Sequence, residues 1–359
     1  MTNVWQAAVE EIDSGRPFAL ATIIGVRGSS PRHVGTRFLV RKDGTIVGTI
    51  GGGLLEADVQ RLALQSVQTG TSSRAAFSFR GSDPAGGDMV CGGDAEVLIE
   101  YVAPGDEERE RVFRRVHQVS AERRTGYLLS KPDMPVGGHG TVQHMFIGEN
   151  NERLGGFPGM EAAVRAVPSR RLLKSAQLLT GEGLEHQVFL EWLHPLGTVY
   201  IFGAGHVGEC VAHLAAYAHF KVVIMDDREE FASRKKYPEA DEVVVLDSFD
   251  DSFSRLDVDE DGYLVIVTRG HAHDKTVLAQ ALRSRAGYIG MIGSRRKTAL
   301  IFDTLMAEGF PEDAVRRVHS PIGVPIGGET PQEIAVSIVA EMIKERSGKE
   351  KLRSGICMG

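Results

Sequence analysis

The residues best suited to do chemistry lie in glycine-rich runs. Gly203-Ala204-Gly205-His206-Val207-Gly208 is a GxGxxG sequence between an apolar strand and an apolar helix, and Asp226 ends the next predicted strand, eighteen residues after Gly208. Such glycines allow a tight turn that brings a pyrophosphate to a helix N-terminus, and an acid at the end of the second strand takes the ribose hydroxyls. Asp227 is the alternative for that role. The acid favours NAD or FAD over NADP, because it would repel a 2′-phosphate. The competing reading is a fold that keeps the turn and binds no nucleotide. His271, His273 and Asp274 follow the fourth strand of this half, and with His206 they are candidates to converge on one crevice. A neutral imidazole in a first helical turn can ligate a metal or accept a proton. The plainer reading is two loop histidines and a helix-capping acid.

The amino half carries three further runs. Gly28-Ser29-Ser30-Pro31-Arg32 offers hydroxyls, free amides and a guanidinium, a set that suits a phosphate. Gly51-Gly52-Gly53 precedes a helix with Glu56 in its first turn, a second candidate anion nest. Cys91-Gly92-Gly93 can expose a sulfur to a bulky ligand; a reactive thiolate there needs a nearby cation or helix N-terminus. In the carboxy half, Ser294, Arg295, Arg296 and Lys297 open a helix and form another candidate anion site. Thr330-Pro331-Gln332-Glu333 reads as a capping box, which makes Glu333 structural.

The elements that must position these groups follow two rhythms. Residues 3–14, 54–68 and 107–123 are predicted helices among strands at 18–25, 36–40, 45–50, 75–80, 95–102, 126–130 and 143–148, an α+β domain over residues 1–150. Residues 151–196 have no clear period and are taken as a linker region. Beyond them, strands at 198–202, 221–225, 242–246, 263–268 and 288–292 alternate with helices near 206–218, 274–285, 296–308 and 331–345. The fold class is therefore α/β: a C-terminal Rossmann-like, doubly wound parallel sheet over residues 197–346, plus the N-terminal α+β domain. Residues 347–359 form a tail.

Composition closes off other classes. The chain of 359 residues is 42% hydrophobic and 25% charged, as ordinary globular proteins are, and its net charge of −7 disfavours nucleic acid and anionic membranes as partners. Its longest apolar stretch, 18–26, is too short for a bilayer, and the acidic N-terminus lacks a signal-peptide pattern. Cys91, Cys210 and Cys357 are odd in number and scattered, so no disulfide framework is expected and a cytoplasmic location fits.

The run GSSPRHVGTRFLVRKDGTIVGTIGGGLLEADV, then CGG, FGAGHVG, TRGHAHD, YIGMIGSRRK and SPIGVPIGGETPQEIAVSIVAE, resembles the xanthine dehydrogenase accessory factor family, XdhC/CoxI, over roughly residues 10–100 and 198–345. The resemblance implies a chaperone of the molybdenum cofactor (molybdopterin) that holds it, supports its sulfuration with a cysteine desulfurase and delivers it to a xanthine dehydrogenase-type molybdenum hydroxylase. It implies cofactor contacts from Ser29, Ser30, Arg32, Gly51, Gly52, Gly53 and Cys91, with Cys91 a transient molybdenum contact. It implies nucleotide contacts from Gly203, Gly205, Gly208 and Asp226, beside which His206 and His271 lie. Little or no turnover is expected, and a homodimer is one option. The alternative is an NAD(P)- or flavin-dependent oxidoreductase with His206 or His271 as acid–base; no Tyr-xxx-Lys relay stands out to support it.

Overall fold

A computed structural model describes residues 4–28, 32–78, 93–149, 152–168, 176–179, 187–194 and 196–354, with side chains to 348. The chain divides into two units, Met1–His194 and Pro195–Gly359.

The first unit is built around β1 (Phe18–Arg27), whose first seven residues are all buried. Strand side chains alternate between faces, so both faces of β1 must be covered. Phe18 and Leu20 pack with α1 (Val4–Asp13) and α3 (Glu107–Ala121), while Ala19, Ala21 and Ile23 pack with Leu55, Val59 and Ala63 of α2 (Gly53–Thr69). The other strands are β2 (Arg37–Arg41), β3 (Ile46–Gly48), β4 (Ser72–Ser78), β5 (Asp94–Val102), β6 (Gly126–Asp133), β7 (His139–Gly148), β8 (Arg153–Gly155), β9 (Ala176–Leu179) and β10 (Val188–Leu193). A short helix, α4 (Met160–Arg165), lies among them. Among the described residues they form one sheet, in the order β3-β2-β1-β5-β4-β7-β6-β10-β9 with β8 on β7.

The segment 151–196, expected as a linker, instead contributes β8, α4, β9 and β10 to this unit. The reason lies in β10. It pairs with β6, Phe189 opposite Ser130 and Glu191 opposite Leu128, and it buries Glu191 as well as Phe189 and Leu190. A buried acid breaks the alternation of apolar and polar residues by which a strand is recognised.

The second unit is the doubly wound sheet the sequence predicts. Strands β11 (Thr198–Phe202), β12 (Lys221–Asp226), β13 (Glu242–Val245), β14 (Gly262–Ile266) and β15 (Tyr288–Met291) are all parallel, in the order β13-β12-β11-β14-β15. Helices α5 (His206–Tyr217) and α9 (Pro331–Ser354) cover one face; α6 (His271–Ala281) and α7 (Arg295–Ala307) cover the other, beside the short α8 (Glu312–Arg316). Helix α6 starts at His271 rather than at 274, because Gly270, at φ 89°, already serves as its N-cap. The predicted capping box of α9 forms: Thr330 Oγ1 accepts from Glu333 N (3.3 Å), and Glu333 Oε2 accepts from Thr330 N (3.0 Å).

Two glycines of the loop after β11 have opposite tolerance. A Cβ on Gly208 would lie 2.0 Å from the Gly203 carbonyl oxygen, whereas one on Gly205, at φ −75°, meets open space. Gly208→Ala is therefore expected to cost about 2 kcal/mol or more from overpacking, while Gly205→Ala stays within about 0.5 kcal/mol. Calorimetric Tm values check this: equal values for the two variants contradict the packing account.

Candidate functional site

The glycine loop is locked through the backbone of one residue, Ala204. The Ala204 N–H donates to Asp226 Oδ2 (2.8 Å), and the Ala204 carbonyl accepts from the Tyr237 hydroxyl (2.8 Å) and Lys236 Nζ (3.1 Å). Gly203, at φ 115°, sits where a Cβ would strike the Val267 carbonyl oxygen at 2.4 Å, so only glycine lets β11 and β14 approach this closely. Asp226 is 1% exposed and also accepts from the Arg228 backbone N (3.1 Å), Nε (2.8 Å) and Nη2 (3.0 Å). Burial raises its pKa, but the hydrogen bonds from Arg228 and Ala204 outweigh burial and hold it below the usual carboxylate range. Asp227 is gripped bidentately by Arg269 at 2.6 and 2.7 Å. Both acids named for the ribose are thus committed to arginines. Arg228 and Arg269 offset the negative charge on which the expected preference for NAD or FAD over NADP rests.

The histidine cluster does not assemble. His206 opens α5 and lines a groove with Cys210, His213 and Val336. His271 is exposed, and His273 packs on the Phe249 ring at 5.1 Å between centroids. Asp274 is fully buried, accepts from Thr268 Oγ1 (2.6 Å) and is ion-paired with Lys297. That pairing removes Lys297 from the predicted anion site, of which Arg295 and Arg296 remain exposed. Among the described residues, no three His, Cys, Asp or Glu side chains are placed to share a metal.

In the first unit, Gly51, Gly52 and Gly53 all have positive φ (127°, 75° and 67°). Their anion nest is already occupied by the chain itself: Glu56 Oε2 accepts from Thr49 Oγ1 (2.5 Å), Ile50 N (2.9 Å) and Gly52 N (3.2 Å). Burial opposes the charge of Glu56, yet these bonds keep its pKa lowered. Above Gly52 and Gly53 the space is open, and Leu54 beside them is 56% exposed. Arg32 is exposed; Ser29, Ser30 and Cys91 lie outside the described residues.

One polar cluster escaped the sequence reading. His144 Nε2 and Glu100 Oε1 are 2.7 Å apart, and His144 Nδ1 and Ser130 Oγ 3.0 Å apart, all buried. Arg109 stands 3.4 Å from Glu100, and Arg37 pairs with Glu191 at the same cavity. These are inward positions on β5, β6, β7 and β10, where alternation predicts apolar residues. The cavity measures about 10 Å³, room for one water rather than a substrate, so the triad-like order of groups serves packing.

The second unit is a Rossmann fold with an arginine-flanked glycine loop, and the first an α+β fold with an exposed glycine turn. Family models agree in both parts: the XdhC Rossmann domain matches residues 199–342, and the XdhC and CoxI family matches residues 11–79. The chain belongs to the XdhC/CoxI family. It is 27% identical over 332 residues to a protein of Bacillus subtilis (strain 168) named as a probable xanthine dehydrogenase subunit, covering 91% of this chain and 92% of that one. It is 21% identical over 349 residues to the molybdenum cofactor insertion chaperone PaoD of Escherichia coli (strain K12), covering 97% and 90%. It matches the uncharacterized protein YqeB of the same strain at 26% identity over 96% of this chain, but spans only 46% of that relative's length. A crystal structure described as a xanthine dehydrogenase from Bacillus halodurans superposes with a TM-score of 0.73 at 26% identity, over 95% of each chain. No described helix is long and apolar enough to cross a membrane.

The lowered pKa of Asp226 has a definite pH signature. A carboxyl depressed in the folded state stabilises above its unfolded value of about 3.9, and that contribution is lost as pH falls through the folded value. Asp226→Asn should cost about 2 kcal/mol at pH 7, with the difference from wild type shrinking below pH 4. Urea denaturation across pH checks this; a pH-independent difference contradicts it.

Proposed function

We propose that this chain is a molybdenum cofactor carrier that holds the cofactor as cargo, supports its sulfuration by a cysteine desulfurase and passes it to a xanthine dehydrogenase-type molybdenum hydroxylase. What supports this is family membership spanning both units, together with the role that PaoD's name gives it. The observation that carries it in the structure is the bare surface over Gly52 and Gly53, where positive φ and absent side chains let a large ligand lie against the backbone.

The cargo is a phosphorylated, sulfur-bearing pterin. Arg32, with Ser29 and Ser30, is proposed to take its phosphate, and the Gly51–Gly53 turn to carry its body. The Ile50 and Gly52 amides hold Glu56, so a phosphate reaches them only by displacing that carboxylate. Cys91 is proposed as a transient sulfur contact to molybdenum, a soft-ligand role that thiolate chemistry suits. A homodimer is compatible with this role and is not required by it.

Two variants test the reading. Cys91→Ala is expected to retain several-fold less molybdenum per chain after anaerobic loading, measured by elemental analysis; equal retention removes the sulfur contact. Gly53→Val places a branched side chain at φ 67°, a conformation that costs such residues about 1–2 kcal/mol, and covers the open surface. It should abolish activation of the apo-hydroxylase by loaded carrier, while a transfer rate equal to wild type contradicts the proposed seat.

A further inference from the structure

We propose that the Rossmann crevice takes a ribonucleotide whose ribose carries a phosphate, with Arg269 and Arg228 as the specificity-determining residues. This crevice belongs to the second unit alone and does not depend on the cargo reading. A carboxylate has about four lone-pair sites. Asp226 already receives four donors: Ala204 N, Arg228 N, Arg228 Nε and Arg228 Nη2, at 2.8 to 3.1 Å. Nothing is left for a ribose diol, and Asp226 acts as a positioning residue that ties the glycine loop to the end of β12.

The second observation is where the arginines stand. In the sheet, β12 and β14 flank β11 on its two sides. Asp227 directly follows β12, and Arg269 lies three residues beyond β14. Their bidentate pair therefore bridges the C-terminal end of β11, where the glycine loop begins and where ligands of open α/β sheets bind. Arg269 is 45% exposed, and its Nη1 also lies 3.9 Å from Asp226 Oδ1. The Arg228 guanidinium is fixed over the Phe231 ring at 3.7 Å, so its plane is set before any ligand arrives.

A phosphomonoester on the ribose matches what this site lacks and what it offers. It needs donors rather than an acceptor. The Arg269 fork that now holds a carboxylate bidentately fits a phosphate in the same geometry. Entry of the ligand exchanges Asp227 for phosphate on Arg269 and opens the bridge across β11. The 5′-phosphates then face Gly205, where the space a Cβ would fill is open, and the first turn of α5.

The test is isothermal titration of the full chain with adenosine 2′,5′-bisphosphate and with ADP. Both probes carry two phosphates, but only ADP has a free diol. One additional charge-assisted hydrogen bond corresponds to at least about a tenfold preference for the bisphosphate. Arg269→Ala, at a half-exposed position, should bring the two affinities to within about threefold. Asp227→Asn removes the competing charge and should strengthen bisphosphate binding. Equal affinities, a preference for ADP, no binding of either probe, or a ratio unmoved by Arg269→Ala each overturns the proposal. Because none of these titrations involves the molybdenum cargo, their failure leaves the carrier reading standing, and a failed cargo transfer leaves this one standing.

Discussion

The two peptide groups that flank the Ala204 Cα are both bonded, the N–H of one to Asp226 and the carbonyl of the next to Tyr237 and Lys236. The glycine loop of the second unit depends on that clamp. It fixes the turn between β11 and α5, and it draws Arg228 across the end of β12. A loop bonded in this way is ordered by the fold itself rather than by anything bound to it. Glu56 does comparable work in the first unit, where its carboxylate gathers the Ile50 and Gly52 amides at the start of α2. In both units an internal carboxylate stands where an anion-binding amide cluster would otherwise be open. Neither glycine turn is a vacant phosphate nest; open space remains above Gly52 and Gly53 in the first and above Gly205 in the second.

Much of this architecture is legible in the sequence because it follows simple periodicities. The βαβ alternation after residue 198 gives the parallel sheet, and the Thr330–Glu333 spacing gives a capping box that forms. The GxGxxG turn is where its glycines require it. What the residue pattern could not show is how charged groups spend themselves. Asp226 reads as a ribose acceptor only while its partner is unknown, and Arg228, two residues on, takes it. The same holds for Asp274, which Lys297 withdraws from the histidines around it.

The strands found at 151–196 in place of a linker have a related cause. Glu191 is buried because Arg37 meets it inside the sheet, and a chain read one residue at a time gives no sign of such a pair. Ser130, His144 and Glu100 lie inward for the same reason: His144 is bonded through both ring nitrogens, to Ser130 on one side and Glu100 on the other. Buried charge of this kind adds little net stability when paired and costs several kcal/mol when one partner is lost. The interior of the first unit is thus specified partly by polar matching, which hydrophobic patterning does not encode.

The carrier reading proposed for this chain rests on family membership and on the bare glycine surface of the first unit. The most direct measurement of the central claim is identification of what the chain carries when purified under anaerobic conditions from cells that make molybdenum cofactor. The account predicts a fluorescent pterin after oxidation, with molybdenum in comparable amount. A chain recovered free of pterin from such cells, and unable to take up the cofactor when it is supplied, would contradict it.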